Sequence, residues 1–318
     1  MNKVLARKLV RYAVCLLIVV LLVFLLPRCM PGDPVQCLVG EDVYLTQEIL
    51  DSVTAKLGLD RPLFEQFQIY IGDLFTGDLG YSYTRHQNVA DLIWDRLPWT
   101  LLLTGVSMLI GYAFGIIAGT WSGWMTEKKR AKIMTGFGVF VSCIPPYLLG
   151  LIFFSVFVYQ LGWFPYKGFY ETPDLFSVAY HMALPVLTLA LFVFARNMII
   201  MRGSVLTEKN QLYPQFAKSL GIPRRKIIYG HVMKNAILPI LTHFAIDFGF
   251  ILSGALFIEI IFSLNGLGRV MYTAVLNLDY PVLSGLFLVI ALMAICANLI
   301  ADILYGIIDP RVKRGDDQ

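Results

Sequence analysis

Four ionisable residues stand inside or beside otherwise apolar stretches: Arg196, Asp247, Glu259 and Asp302. Hydrocarbon penalises such groups, so each must face a bundle interior, an aqueous cavity or a partner of opposite polarity. The chemistry open to them is passage of an ion or proton, a gate, or an interhelical bond. Arg196 and Asp302 fall near the ends of their stretches that carry flanking bases, where a long side chain can snorkel. Glu259 falls near the opposite end of its stretch. Asp247 is the deepest of the four and the one best placed to line a cavity.

Bond-breaking chemistry has no comparable support. The chain lacks a Gly-x-x-x-x-Gly-Lys-Ser/Thr loop, a His-Glu-x-x-His, a Cys-x-x-Cys and a Gly-x-Ser-x-Gly. His86, His181, His231 and His243 are scattered, so no metal site is expected. No catalytic residue and no cofactor of its own are expected for this chain.

The elements that must position these residues follow from composition. Of 318 residues, 57% are hydrophobic and 15% charged, and mean hydropathy is +0.68. Ordinary soluble domains carry about 45–50% apolar and about 25% charged residues. The expected fold is an all-α integral membrane protein with six transmembrane helices: Leu9–Pro27, Thr100–Trp124, Ile133–Leu161, His181–Met201, Ala236–Phe262 and Leu283–Ile308. Each is close to or longer than the roughly 20 residues a spanning helix needs. The net charge of +4 sits in short clusters between apolar runs, which points to membrane lipid at the inner surface and not to nucleic acid.

Those clusters also set the orientation. Lys and Arg concentrate before the first span, in the second-to-third and fourth-to-fifth connections, and after the sixth. Positive charge marks the cytoplasmic side, so both termini are expected inside. The first stretch is expected to stay as a membrane helix, because no small-residue cleavage site follows it. Cys29 and Cys37 fall on the expected outer side and could pair only in an oxidising compartment; two free thiols are the simpler expectation.

Residues 1–27 thus read as a cytoplasmic stub and first span, and 28–99 as an extracytoplasmic helical subdomain. Residues 100–308 form a five-helix core with a cytoplasmic segment at 206–235, and 309–318 a tail. The outer segment holds eleven acidic and five basic residues. Thr46 is placed to cap one helix ending at Gly58, Pro62 to open a second carrying Phe67, Tyr70, Ile71 and Leu74, and Asn88 to cap a third leading into the second span. A turn is expected at Gly77–Gly80.

Backbone irregularities give further candidates. Ser142, Pro145 and Pro146 interrupt the third span, and Ser253-Gly254 lies in the fifth. With Asp247, the residues Ser142, Pro145, Ser253 and Gly254 form the candidate translocation pathway. Gly111, Gly115 and Gly119 make a ladder of small residues on the second span, suited to close helix packing.

The most informative stretch is Tyr213–Pro239. Tyr213–Leu220 spells about two helical turns, Gly221 and Pro223 break them, and Arg224, Arg225 and Lys226 follow at the inner surface. Two readings stand: a short helix on which a cytoplasmic partner docks, or a plain loop whose bases meet anionic headgroups.

This segment resembles the coupling motif of permease subunits in binding-protein-dependent ABC importers, in the peptide/nickel branch. Ala217, Lys218 and Gly221 match, followed by His231-Val232, Lys234-Asn235-Ala236 and Leu238-Pro239. Further blocks follow in the family's order: Pro31-Gly32-Asp33-Pro34, Leu57–Pro62, Gly77–Gly80, Leu184-Pro185, Glu259–Phe262 with Gly266-Leu267-Gly268, Asp279-Tyr280-Pro281, Asn298–Asp302 and Asp309-Pro310-Arg311. Four positions depart from the pattern. Gln215 replaces an acidic residue, Phe216 and Leu220 stand where a small polar and a basic residue are more usual, and Asn265 replaces a proline.

The resemblance implies a type I importer permease that pairs with a second homologous permease. Two ABC ATPase subunits, which hold ATP and Mg, would dock on Gln215, Phe216, Ala217, Lys218, Ser219, Leu220 and Gly221, with Pro223 and Arg224 beside them. An extracytoplasmic substrate-binding protein would deliver cargo near Asp60, Arg61 and Asp78. The implied setting is a bacterial or archaeal cytoplasmic membrane and the implied cargo a di- or oligopeptide. Nickel or a metal chelate is the alternative within the family. From another class, an ion-coupled secondary transporter would use Asp247 to carry protons.

Overall fold

In the computed structural model the described residues are 2–29, 60–82 and 84–308, of which the side chains of 2–9, 26–28, 242, 245, 246, 248–254 and 301–308 lie outside the description. The helix expected after Thr46, the thiol of Cys37 and the tail from Asp309 also lie outside it.

The elements run α1 (Asn2–Arg28), α2 (Leu63–Thr76), β1 (Tyr81–Ser82), β2 (Gln87–Asn88), α3 (Val89–Trp124), α4 (Lys129–Ser142) and α5 (Pro146–Phe153). Then come a π-helix, π1 (Phe154–Gln160), α6 (Leu175–Lys209), α7 (Leu212–Ser219), α8 (Arg224–Lys226) and a second π-helix, π2 (Ile227–Val232). The chain ends in α9 (Met233–Ala236), α10 (Leu238–Ile261), α11 (Leu267–Leu276) and α12 (Tyr280–Ile308). Every expected span falls on a helix or a bent helix pair, and the architecture is almost wholly α-helical. Among the described residues α3, α6 and Tyr280–Ile300 of α12 are long and apolar enough to cross a membrane, and α4 with α5–π1 makes a fourth such segment, bent by 100°.

Three details differ from the sequence reading. The third outer helix and the second span are one helix, α3, which passes through Pro98 without ending. Asn88 does not cap it with its oxygen; its Nδ2 donates to Asp91 Oδ2 at 3.3 Å. A two-residue hairpin, β1–β2, precedes it, with Tyr81 opposite Asn88 and Ser82 opposite Gln87. Two-residue strands carry too little alternation to be read from a pattern.

The chain divides into two compact units: Met1–Pro98 with Gly266–Met293, and Trp99–Asn265 with Ala294–Gln318. In the first, Val20 and Val23 of α1 pack with Phe67, Tyr70, Ile71 and Leu74 of α2 and Leu288 of α12. The Phe24 ring meets Phe67 edge-on at 5.1 Å. Val10, Val14, Leu17, Ile18, Leu21 and Leu22 of α1 remain exposed, an apolar face suited to lipid. α2 follows Pro62 and closes at Gly77, whose φ of +80° lets the Asp78 N–H reach Asp73 O and the Gly77 N–H reach Leu74 O. The hairpin is tied to the start of α12 because Ser82 Oγ donates to Asp279 Oδ2 at 2.6 Å and Thr84 Oγ1 donates to the same oxygen.

In the second unit the controlling contact is α3 against α6. A Cβ on Gly111 would stand 2.5 Å from Val193 Cβ, one on Gly119 2.6 Å from Met201 Cβ, and one on Gly123 2.9 Å from Val205 Cβ. Gly115 faces Asn197 in the same way, at 3.0 Å. Four glycines at intervals of four thus meet four α6 residues at the same interval, extending the expected ladder by Gly123. Asp174 caps α6, its Oδ1 accepting from the Ser177 N–H at 2.6 Å. That bond, and then one from Thr172, holds its carboxyl below the usual range.

Gly119→Val is expected to cost about 1–3 kcal/mol through overpacking, seen as a lower thermal midpoint of the detergent-purified protein. Gly105→Ala, with open space around it, should leave the midpoint unchanged.

Candidate functional site

The candidate site is the segment from the end of α6 to the start of α10. α7 is amphipathic by construction. Pro214 and Ala217 are buried, and Ala217 packs in a cluster with Met201, Val205, Ile227, Val232, Ala236 and Ile240. The opposite face carries Leu212, Phe216 and Leu220, at 82%, 65% and 63% exposure. Spacing of four puts these three on one stripe. Gln215, Lys218 and Ser219 are also exposed, and Ser219 Oγ donates to Phe216 O at 2.8 Å.

The helix stops where Gly221 takes a φ of +75°. Its N–H reaches Lys218 O at 3.1 Å and the Ile222 N–H reaches Ala217 O at 3.2 Å, a paired closure that an L side chain resists. Pro223 then opens the turn Arg224–Lys226. So Gln215, Phe216, Ala217, Lys218, Ser219, Leu220, Gly221, Pro223 and Arg224 do lie together on one short helix and its exit, and Ala217 is the one among them that faces inward.

Two anchors hold α7, and only one of them was visible as a motif. Tyr213 Oη donates to Glu208 Oε2 at 2.6 Å, while Asn235 Nδ2 reaches the same oxygen at 3.5 Å. Glu208 therefore ties the end of α6 to the start of α7 and to α9. Burial, followed by the bond from Glu208, pushes the Tyr213 phenol up to about 12 from its ordinary 10.0. The neutral phenol is the favoured form. Its contribution is complete below pH 10.0 and is lost as pH rises through about 12. Glu208 could have been found only as an acidic residue standing alone in a basic connection.

The expected pathway residues lie in two places. Ser142 and Pro145 flank the 100° break between α4 and α5, with Ser142 Oγ donating to Val139 O at 2.8 Å. Asp247, 3% exposed, sits in α10 and forms an ion pair with Arg196 Nη1 at 2.9 Å. Tyr112 Oη donates to Asp247 Oδ2 at 2.7 Å, and Asn197 Nδ2 reaches it at 3.4 Å. The carboxylate thus joins α3, α6 and α10. Glu259, fully buried, accepts from Thr100 Oγ1 at 2.7 Å. Ser253, Gly254 and Asp302 belong to α10 and α12 with side chains outside the described set.

Asp60, Arg61 and Asp78 are exposed. Arg61 pairs with Glu65 at 3.2 Å, and Asp78 Oδ1 accepts from the Gly80 N–H at 2.8 Å, fixing the turn.

Removing one partner of a buried charge pair costs about 3–5 kcal/mol, whereas replacing both with apolar groups is often neutral. Asp247→Ala should therefore lower the thermal midpoint of the purified protein strongly, and Arg196→Met with Asp247→Leu should restore most of it. Separately, wild-type stability should fall between pH 10.0 and about 12, and Tyr213→Phe should flatten that fall.

Comparison with known proteins agrees with this architecture. The family model described as "Binding-protein-dependent transport system inner membrane component" matches residues 111–314, and its N-terminal companion matches residues 1–104. A Brucella suis biovar 1 protein carrying a peptide-permease name is 35% identical over 309 residues, covering 94% of this chain and 95% of its own. The glutathione transport system permease protein GsiC of Escherichia coli K12 is 34% identical over 303 residues, covering 94% of both. These two matches span both units and the α7 segment alike, and they show that the chain belongs to the inner-membrane permease family of binding-protein-dependent ABC importers, in its peptide branch.

Proposed function

We propose that this permease moves di- or oligopeptides inward across the cytoplasmic membrane of a bacterium or archaeon, as half of a pathway completed by a second homologous permease. The carrying observation is the exposed stripe Leu212, Phe216 and Leu220 on a helix whose other face is buried. A short helix anchored through Ala217 and Glu208 transmits displacement to α6 and α10 because both of its ends are fixed. Two ATPase subunits, holding ATP and Mg, dock on this stripe. Their closure moves α7 and opens the pathway outward; hydrolysis resets it. The names of the Brucella suis and Escherichia coli relatives support a peptide-like cargo.

In this reading both termini are cytoplasmic, and Asp60, Arg61 and Asp78 belong to the face that receives the substrate-binding protein. Ser142 and Pro145 at the break, with Ser253 and Gly254 in α10, border the pathway, and Asp247 sets its shape through the pair with Arg196.

The test uses the whole importer purified from native membranes. Leu212→Asp with Phe216→Asp should cut recovery of the ATPase subunits and peptide uptake about tenfold, as expected when anchor residues are lost. The thermal midpoint of the permease should stay unchanged, because both positions are exposed. Undiminished ATPase recovery would sink the docking assignment, and uptake of peptide without any ATPase would sink the importer reading.

A further inference from the structure

At the Trp124 end of α3 a groove of about 310 Å³ opens between that helix and the segment after α7. Trp121, Trp124, Ile228 and Tyr229 give it an apolar, largely aromatic wall, and Arg224 and Arg225 border it. Trp124 is the fixed centre. Arg224 Cζ lies 5.8 Å from its ring centroid and Lys209 Nζ 5.7 Å from it, both within cation–π range. Lys209 is further held by donating to Trp124 O at 3.1 Å. Among the described residues, Arg224 Nη2 meets the weak acceptor Met125 Sδ, at 3.1 Å. Among the described residues no carboxylate pairs with Arg224 or Arg225.

We propose that this groove binds the headgroup and upper chain of an anionic phospholipid. Two guanidiniums present several N–H donors in a fork that matches a phosphodiester. The indoles and Tyr229 suit the boundary between headgroup and chain, where amphipathic aromatic rings settle. The shared chemistry is a phosphate, which a free anion also offers. A free anion would leave the apolar wall uncovered, so the lipid is the occupant that uses every side of the groove. The groove adjoins Pro223 at the exit of the coupling helix, so an occupied groove would brace that exit. This inference does not depend on what the importer carries, and its failure would leave the transport reading intact.

The test is native mass spectrometry of the detergent-purified complex, delipidated and then offered phosphatidylglycerol or phosphatidylcholine. The wild type should retain phosphatidylglycerol about tenfold better than phosphatidylcholine, and Arg224→Gln with Arg225→Gln should lose that preference. Millimolar inorganic phosphate should not displace the lipid. As a reading that needs no change at the arginines, brominated phosphatidylglycerol should quench wild-type fluorescence more than brominated phosphatidylcholine. The excess should vanish in Trp121→Phe with Trp124→Phe. Equal retention of the two lipids, an unaltered double-glutamine variant, or displacement by phosphate would overturn the proposal. So would retention of the lipid by the permeases stripped of their ATPase subunits but not by the whole complex, which would make the groove part of a protein interface.

Discussion

The rest of the second unit depends on the contact of two backbones. Where α3 crosses α6, Gly111, Gly115, Gly119 and Gly123 bring the main chains so close that a methyl group would collide with Val193, Met201 or Val205. Water does not drive helices together inside a bilayer, so dispersion between closely fitted surfaces has to. That closeness lets Tyr112 of α3 and Asn197 of α6 reach one carboxylate on α10. It also fixes the exit of α6 at Lys209, beyond which α7 begins. The polar bonds are therefore built on the glycine contact, and a change in the helix spacing would loosen both the Asp247 centre and the coupling segment.

Much of the fold was legible because lipid simplifies the rules. A helix is the one continuous way to satisfy backbone groups within an apolar run, so run length alone locates the spans. The ladder Gly111–Gly119 was readable from its interval of four. The continuity of α3 through Pro98 was not, since a proline inside a helix is normally a stop. The hairpin Tyr81–Asn88 escaped notice because its stability comes from Ser82 and Thr84 binding Asp279, nearly two hundred residues away. Nothing local encodes such a bond. The two π-helices, at Phe154–Gln160 and Ile227–Val232, likewise add a residue per turn without a sequence signature.

The candidate site was half legible. Gly221 and Pro223 announce the end of α7, because their backbone preferences are intrinsic to the residue. Phe216 and Leu220 read as departures from a family pattern, yet with Leu212 they complete a single exposed stripe. Its meaning emerges only when Pro214 and Ala217 are seen to face the other way. Asp247 stood out through its depth, but its partners sit on two other helices and no spacing rule links position 247 to positions 112 and 196. Glu208 was the silent member. Its importance lies in geometry shared by Tyr213 and Asn235.

The break between α4 and α5 has a consequence for where that bend can reside. A helix end and a helix start together usually leave several amide hydrogens unpaired, which hydrocarbon tolerates poorly. Here Cys143 and Ile144 turn their N–H groups back onto Val139 and Val141, and Leu148 and Leu149 donate to Pro145 O. Of the three residues between, Pro145 and Pro146 possess no amide hydrogen to lose, and Tyr147 alone carries one. The corner is thus poor in unpaired amide donors, which lowers the cost of a 100° turn within an apolar segment.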